Sequence, residues 1–324
     1  MDTILFNDSR PIGLYGHLMK LGYKVERAEM ADSTIIRITS PSGKVWMSGK
    51  KMSYPMNSYE ICQIANNKQR AYILMDMLGV RIPKSVYVNE LNKYALALMK
   101  THKKVIVKPV DGYHSKGVTV DVETEEVLRR AISGACEISS QCIVQEQVEG
   151  EEYRFTLLGG KVVSVLQRKR PQIIGNGVDS IRQLVLNENQ SRYEIMKNEI
   201  ISYPQWTSEL MGVDLDSEEV LTKNEIRILS RTTLVSEGAS VYELINEIDK
   251  SYLDLINDIA NVIGTGFVAV DMFLLDHTEP IGDNYWFNEC NIAPSLKMYR
   301  AARNYDCSKI IEDVVREVDK TLNI

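Results

Sequence analysis

The sequence predicts an α+β protein, with helices and hairpin-paired strands in layers rather than one purely parallel sheet. Three observations predict it. Tyr153 to Leu158, Gly159-Gly160 and Lys161 to Leu166 read as a tight hairpin. Phe267–Leu275 and Asn284–Cys290 read as two strands joined by a polar turn around Pro280. Around them apolar residues recur at helical spacing, as in Val127, Leu128, Ala131, Ile132 and Ala135 behind the capping residue Thr124.

Taken in order, the first 55 residues are rich in turns: Asp8-Ser9-Arg10-Pro11, Ser40-Pro41-Ser42-Gly43 and Ser53-Tyr54-Pro55. Between them Ile35–Ile38 and Lys44–Met47 are expected to pair as a hairpin in a small α/β lobe. One helix is expected from Ser58 to Leu78, stopped by Gly79 with Pro83 beyond. Val105–Pro109 and Ile143–Glu146 read as buried strands. Residues 178–229 are mixed, polar and partly helical. A long helix is expected from Val241 to Val262, and a C-terminal helix buries Ile310, Ile311, Val314, Val315 and Val318. The expected organisation is a small lobe over 1–60, a second unit over 61–150 and a third over 151–324.

The chain has 324 residues, 44% of them hydrophobic and 25% charged, ordinary for a globular protein with a proper core. A net charge of −6 argues against nucleic acid as the main partner. The start, MDTILFNDSR, lacks a basic region followed by a long apolar run, so no signal peptide is expected. No stretch reaches the roughly 20 apolar residues of a membrane helix, so no membrane partner is expected either. Five cysteines at 62, 136, 142, 290 and 307 show no metal-ligand spacing and suit reduced thiols in a cytoplasm.

Two stretches carry chemistry. If the turn centres near Pro280, Asp271 lies opposite Glu289, and Asn291 follows on the same face. Two unpaired carboxylates in apolar surroundings would cost several kcal/mol, which a hard cation such as Mg²⁺ removes. Two acids at a solvated sheet edge would show the same spacing. The second stretch runs KPVDGYHSKGV from Lys108: a lysine ends a buried strand, and a polar glycine-containing loop follows. Backbone N–H groups of such a loop cradle phosphates. It is neither a Walker A loop nor GxGxxG, and an ordinary hairpin with a solvated lysine is the plainer alternative.

That loop resembles the phosphate lid of ATP-grasp enzymes, above all the ATP-grasp module of cyanophycin synthetases and bifunctional glutathione synthetases. Other pieces follow in the family's order. They are Asn67-Lys68 with Leu78-Gly79-Val80 and Pro83, the run QEQVEGEEYR from Gln145 to Arg154, GNGVDSI at 175–181, and Asp271 with Glu289-Cys290-Asn291 and Pro294. The similarity spans roughly residues 57–300. It implies an ATP-grasp fold, with a nucleotide held between two α+β lobes.

The resemblance also implies roles. Lys68 and Lys108 would meet the ATP phosphates, and His114, Ser115, Lys116 and Gly117 would close over them. Gln145, Glu146, Gln147 and Val148 would be the hinge at the adenine, and Glu152 would hold the ribose hydroxyls. Asp271, Glu289 and Asn291 would hold Mg²⁺, with Mn²⁺ as a substitute. Arg154 and the cluster Arg168, Lys169 and Arg170 would stabilise the transferring phosphoryl group or a substrate carboxylate. Glu152 and the arginine cluster equally suit salt-bridged or solvated surface positions. Alanine at Asp271 or Glu289 is expected to abolish turnover and leave the fold.

Departures cluster where the acceptor would sit. Gln145 stands for the usual Glu, and its carbonyl can still accept from an adenine amino group. Asn176 stands for the Asp of GDG, and Lys169 for an Arg. Ser230–Leu234 lacks the family's asparagines, and Ser236-Glu237-Gly238-Ala239 replaces STGG. These changes point away from glutathione and cyanophycin as products. The chain carries no large flanking domains like those of the two relatives, so a stand-alone module is expected. The activity implied is an ATP-dependent ligase joining a small carboxylate to an amine, on amino acids or small peptides, through an acylphosphate. A small-molecule kinase and a non-catalytic ATP-binding regulatory module are the alternatives. A homodimer is expected only by analogy with other proteins of the fold.

Overall fold

Turn residues and apolar periodicity divide the described residues into four antiparallel sheets, of three, four, two and five strands, and their covering helices. The structure, a computed structural model, describes residues 12–30, 33–49, 53–65, 67–111, 116–196, 203–264 and 266–323. The turn expected at Asp8–Pro11 lies outside the described residues. Helix α1 (Ile12–Lys20) precedes a sheet of β1 (Lys24–Met30), β2 (Ser33–Thr39) and β3 (Val45–Gly49). The expected hairpin is β2–β3, with Ile38 opposite Trp46.

There follow α2 (Tyr59–Ala65), α3 (Lys68–Met77), β4 (Ser85–Val88), α4 (Lys93–His102), β5 (Val105–Pro109), β6 (Thr119–Val122), α5 (Glu125–Cys136) and β7 (Cys142–Glu146). The single helix expected over Ser58–Leu78 is therefore two. The Asn67 side chain accepts the Arg70 N–H at 3.0 Å and starts a new helix, the capping chemistry that lets asparagine compete with a continuous ladder. Thr124 caps α5 as expected. The four strands form an antiparallel sheet in the order β4-β7-β5-β6.

The remainder holds β8 (Glu151–Leu158), β9 (Lys161–Lys169), β10 (Gln172–Ile174), α6 (Ile181–Met196), α7 (Ser208–Met211), β11 (Ile226–Ile228) and β12 (Ser240–Glu243). Then come α8 (Lys250–Ile263), β13 (Phe267–Leu274), β14 (Tyr285–Asn291), α9 (Lys297–Arg300) and α10 (Ser308–Asn323). The helix expected from Val241 begins only at Lys250. Val241 instead pairs with Arg168 as part of a strand, and Asp249 caps α8 by accepting the Ser251 N–H at 2.9 Å. The five-stranded sheet runs β12-β9-β8-β13-β14. Its tight turn is the predicted pair Gly159-Gly160, with φ of 61° and 81°.

One face of this large sheet is apolar. Tyr153, Phe155, Val270 and Met272 pack there against Tyr252, Ile256 and Ile259 of α8, and Tyr72 and Met75 of α3 join them. Each large side chain so buried contributes roughly 1.5–3 kcal/mol. Part of the opposite face, at Leu158, Leu166 and Phe267, shares a core with Leu14, Trp46, Val314 and Val318, so the N-terminal sheet and α10 cover it together. The rest of that face carries the polar residues described next.

Gly150 sets the entry into β8. It has φ +114°, and a Cβ there would lie 2.5 Å from the Leu274 carbonyl oxygen. Gly150→Ala is expected to lower stability by about 2 kcal/mol or more, checked by denaturant unfolding.

Candidate active site

β13 lies between β8 and β14, and register does the positioning. Asp271 faces Arg154 on one side and Glu289 on the other. On β9, Arg168 faces Glu152 of β8. Two bulges produce this arrangement. Between Thr156 and Leu157 the β8–β9 register shifts by one residue, which brings Arg168 rather than Gln167 opposite Glu152. Between Asp271 and Met272 the β13–β14 register shifts as well. Phe287 then enters the apolar core while Glu289, two residues on, points to the opposite face.

The carboxylates are not unpaired, which corrects the expectation from spacing. Arg154 grips Asp271 side-on, Nε to Oδ1 at 2.7 Å and Nη2 to Oδ2 at 2.6 Å. Arg168 donates to Asp271 Oδ2 at 2.8 Å and also to Glu152 Oε1. Glu152 accepts from the Thr233 hydroxyl at 2.6 Å and from Asn288 at 3.5 Å. Asn291 Nδ2 donates to Glu289 Oε1 at 3.1 Å and Asp271 Oδ2 at 3.4 Å, and Lys68 Nζ lies 3.9 Å from Glu289. Three carboxylates are thus met by two guanidiniums and one ammonium, all within one polar cluster.

Exposure grades the members. The Asp271 side chain is 0% exposed and that of Glu289 is 32%. Burial by itself would raise the Asp271 carboxyl, but Arg154 and Arg168 hold it below the ordinary carboxylate range. Burial pushes Glu152 upward against the pull of Arg168, and the neighbouring Asp271 adds to the rise. Burial lowers the Lys68 ammonium, Glu289 opposes, and Lys108 pushes down again.

Lys108, at the end of β5, is buried and donates to the Tyr72 hydroxyl at 3.1 Å. Gln145 Nε2 donates to the same hydroxyl at 3.0 Å and to Ser85 Oγ at 2.9 Å. Tyr72 therefore links the lysine to the start of the expected hinge. It sits one turn after Lys68 on α3, a spacing that could have marked it in the sequence. Glu146 turns the other way, accepting the Lys84 N–H at 2.8 Å and meeting His102 at 2.9 Å. Gln147 binds Asp121, and Val148 is half-buried. Lys116 is exposed and Gly117 has φ +74°. His114 and Ser115 lie outside the described residues.

Alternation at the end of β9 separates Arg168 from Lys169, and Arg170 follows the strand. Arg168 enters the carboxylate network, Lys169 lies over the Tyr242 ring at 5.2 Å, and Arg170 reaches the Gly150 carbonyl at 3.5 Å. Tyr72, Thr233 and Asn288 are the members that sequence reasoning missed. Among the described residues no three His, Cys, Asp or Glu side chains form a metal-holding group. The donor set on β13 and β14 is two carboxylates and an amide, oxygen chemistry that fits a hard divalent cation. The five cysteines are free, and no described helix is long and apolar enough to cross a membrane.

A family model described as an ATP-grasp domain matches residues 65–280. Cyanophycin synthetase of Trichormus variabilis is 26% identical over 248 residues, covering 74% of this chain and 27% of that protein. The glutathione biosynthesis bifunctional protein of Pasteurella multocida is 25% identical over 257 residues, covering 75% of this chain and 34% of that one. The chain thus spans about a third or less of the length of these curated relatives. The crystal structure of a bifunctional glutathione synthetase from Pasteurella multocida superimposes with a TM-score of 0.67 at 20% identity, over 95% of this chain and 44% of that one. The α+β architecture, antiparallel sheets with covering helices, is that fold.

Proposed function

The chain belongs to the ATP-grasp domain family, and from that premise we propose that it is an ATP-dependent carboxylate–amine ligase acting on amino acids or small peptides. The observation that carries this reading is the meeting of Asp271, Glu289 and Asn291 with Lys68 in one cluster, with Lys108 on the adjoining sheet. Relatives named cyanophycin synthetase and glutathione biosynthesis bifunctional protein support the reaction class. The free cysteines suit a cytoplasmic setting.

In this reading the γ-phosphoryl group of ATP passes to a carboxylate oxygen and ADP leaves. The amine nitrogen then attacks the acyl carbon, its C–O bond to phosphate breaks, and an amide, inorganic phosphate and a proton result. Lys68 and Lys108 neutralise the phosphates, and Lys116 and Gly117 end the run expected to lie beside them. Gln145 to Val148 meet the adenine and Glu152 the ribose. Asp271, Glu289 and Asn291 would hold Mg²⁺, which would supply charge neutralisation at the phosphates. Arg154 and Arg168 keep the buried Asp271 ionised and fixed in place. Such catalysis is positioning and electrostatics, with no side-chain nucleophile required.

The test is ADP release from ATP and Mg²⁺ across pools of amino acids and short peptides, with mass spectrometry of products. The expected result is a pool that raises ADP release and gives a product lighter by one water than its two reactants. A stable phosphorylated product without amine would make the protein a kinase. ATP binding with silence in every pool would overturn the ligase reading for small substrates.

A further inference from the structure

The edge strand β6 departs from regular pairing beside the expected lid. Val105 pairs with Val122 and Val107 with Thr119, so Val120 and Asp121 share the place opposite Ile106. Asp121 has φ +53°. Asp adopts that conformation more readily than most side chains, but outside glycine it remains uncommon, and such residues gather at bulges and functional sites.

Asp121 is fixed by partners from distant parts of the chain. Its N–H donates to Gln147 Oε1 at 2.7 Å, and its Oδ1 accepts from Gln147 Nε2 at 3.0 Å and Lys104 Nζ at 3.4 Å. Those partners belong to the four-stranded sheet and its exit. Asp121 Oδ2 is met by Arg231 from the other unit. The segment bearing Arg231 is anchored to the large sheet. The Leu229 N–H donates to the Pro171 carbonyl at 2.8 Å, and the Thr233 hydroxyl binds Glu152 at 2.6 Å. One carboxylate therefore joins the strand leaving the lid, the hinge residue Gln147 and the segment that holds Glu152.

We propose that Asp121 is a positioning residue and that its ion pair with Arg231 is a latch holding the two sheets closed over a bound nucleotide. The proposal rests on the reading that ATP occupies this cleft. The Arg231 side chain is 71% exposed, so the latch is screened by salt and easily released. It suits a step that must open at every turnover.

Asp121→Asn removes the charge while keeping a residue tolerant of positive φ and an oxygen for Gln147. Arg231→Gln removes the other half. The readout is the Kd of Mg-ADP by calorimetry on the full chain, at low and high salt, beside the melting temperature without nucleotide. Each single variant is expected to weaken binding by about two- to fivefold, the range of an exposed pair. The double variant should be no weaker than the poorer single, Arg231→Lys should recover most of the affinity, and salt should weaken the parent and Arg231→Lys more than the variants that lack the pair. Unchanged affinity in the singles, or additive losses in the double, would overturn the latch. A parent that binds no nucleotide would instead overturn the ATP reading beneath it.

Discussion

Glu289→Ala is expected to lower ATP turnover by at least about 100-fold, more than the 10- to 100-fold typical of losing a residue that merely supports a metal ligand. The melting temperature should stay within about 2 °C of the parent, because partly exposed side chains outside the core contribute little. The side chain is 32% exposed, its contact with Lys68 is a long 3.9 Å, and Asn291 retains Asp271 as a partner. The protein would then be intact but unable to hold its cation. The check is steady-state ADP release beside calorimetry, with Glu289→Gln as the isosteric control. Full turnover in either variant would remove the proposed metal role of β14.

Asp271→Ala is expected to behave differently, and here the structure corrects the sequence expectation that alanine leaves the fold. Asp271 is wholly buried, and both its oxygens are occupied by arginines that are themselves buried. Alanine would strand the Arg154 guanidinium beside Met298 and leave Arg168 with Glu152 alone. Removing one partner of such a group costs about 3–5 kcal/mol. At roughly 2–4 °C per kcal/mol that is a fall of about 10 °C in Tm. Turnover would vanish too, through damage to the cluster as well as through a lost ligand, so activity alone could not separate the causes. A melting curve can: Asp271→Ala melting with the parent would show that Arg154 and Arg168 find other anions.

The fold was legible wherever turn chemistry and periodicity agreed. Gly159-Gly160 announced β8–β9, Thr124 announced α5, and a turn near Pro280 placed Asp271 opposite Glu289. The resemblance carried the family assignment. What stayed hidden was set by single-residue shifts. Counted back from its glycine turn, an unbroken hairpin would face Glu152 with Gln167. The bulge at Thr156 and Leu157 substitutes Arg168, and nothing in the run KVVSVLQRK marks it. The split of Ser58–Leu78 and the strand at Val241 were hidden for a related reason: an asparagine cap and a short β segment interrupt apolar spacing without erasing it. Arg154 and Glu152 were visible as charged residues, but their burial depends on neighbours far away in the chain.

The shared core between the N-terminal sheet and α10 bears on how this protein can be cut. Tyr23 donates to Asp319 at 2.7 Å, and Ser42 to the Leu322 carbonyl at 3.1 Å, so the two ends of the described chain are stitched together. An excised fragment bounded by the family match at 65–280 would lose both halves of that core. It would also lose β14, and with it Glu289 and Asn291. A fragment with those bounds is expected to melt well below the full chain, and moving it alone into another protein would transfer the likeness without the Glu289 and Asn291 side chains.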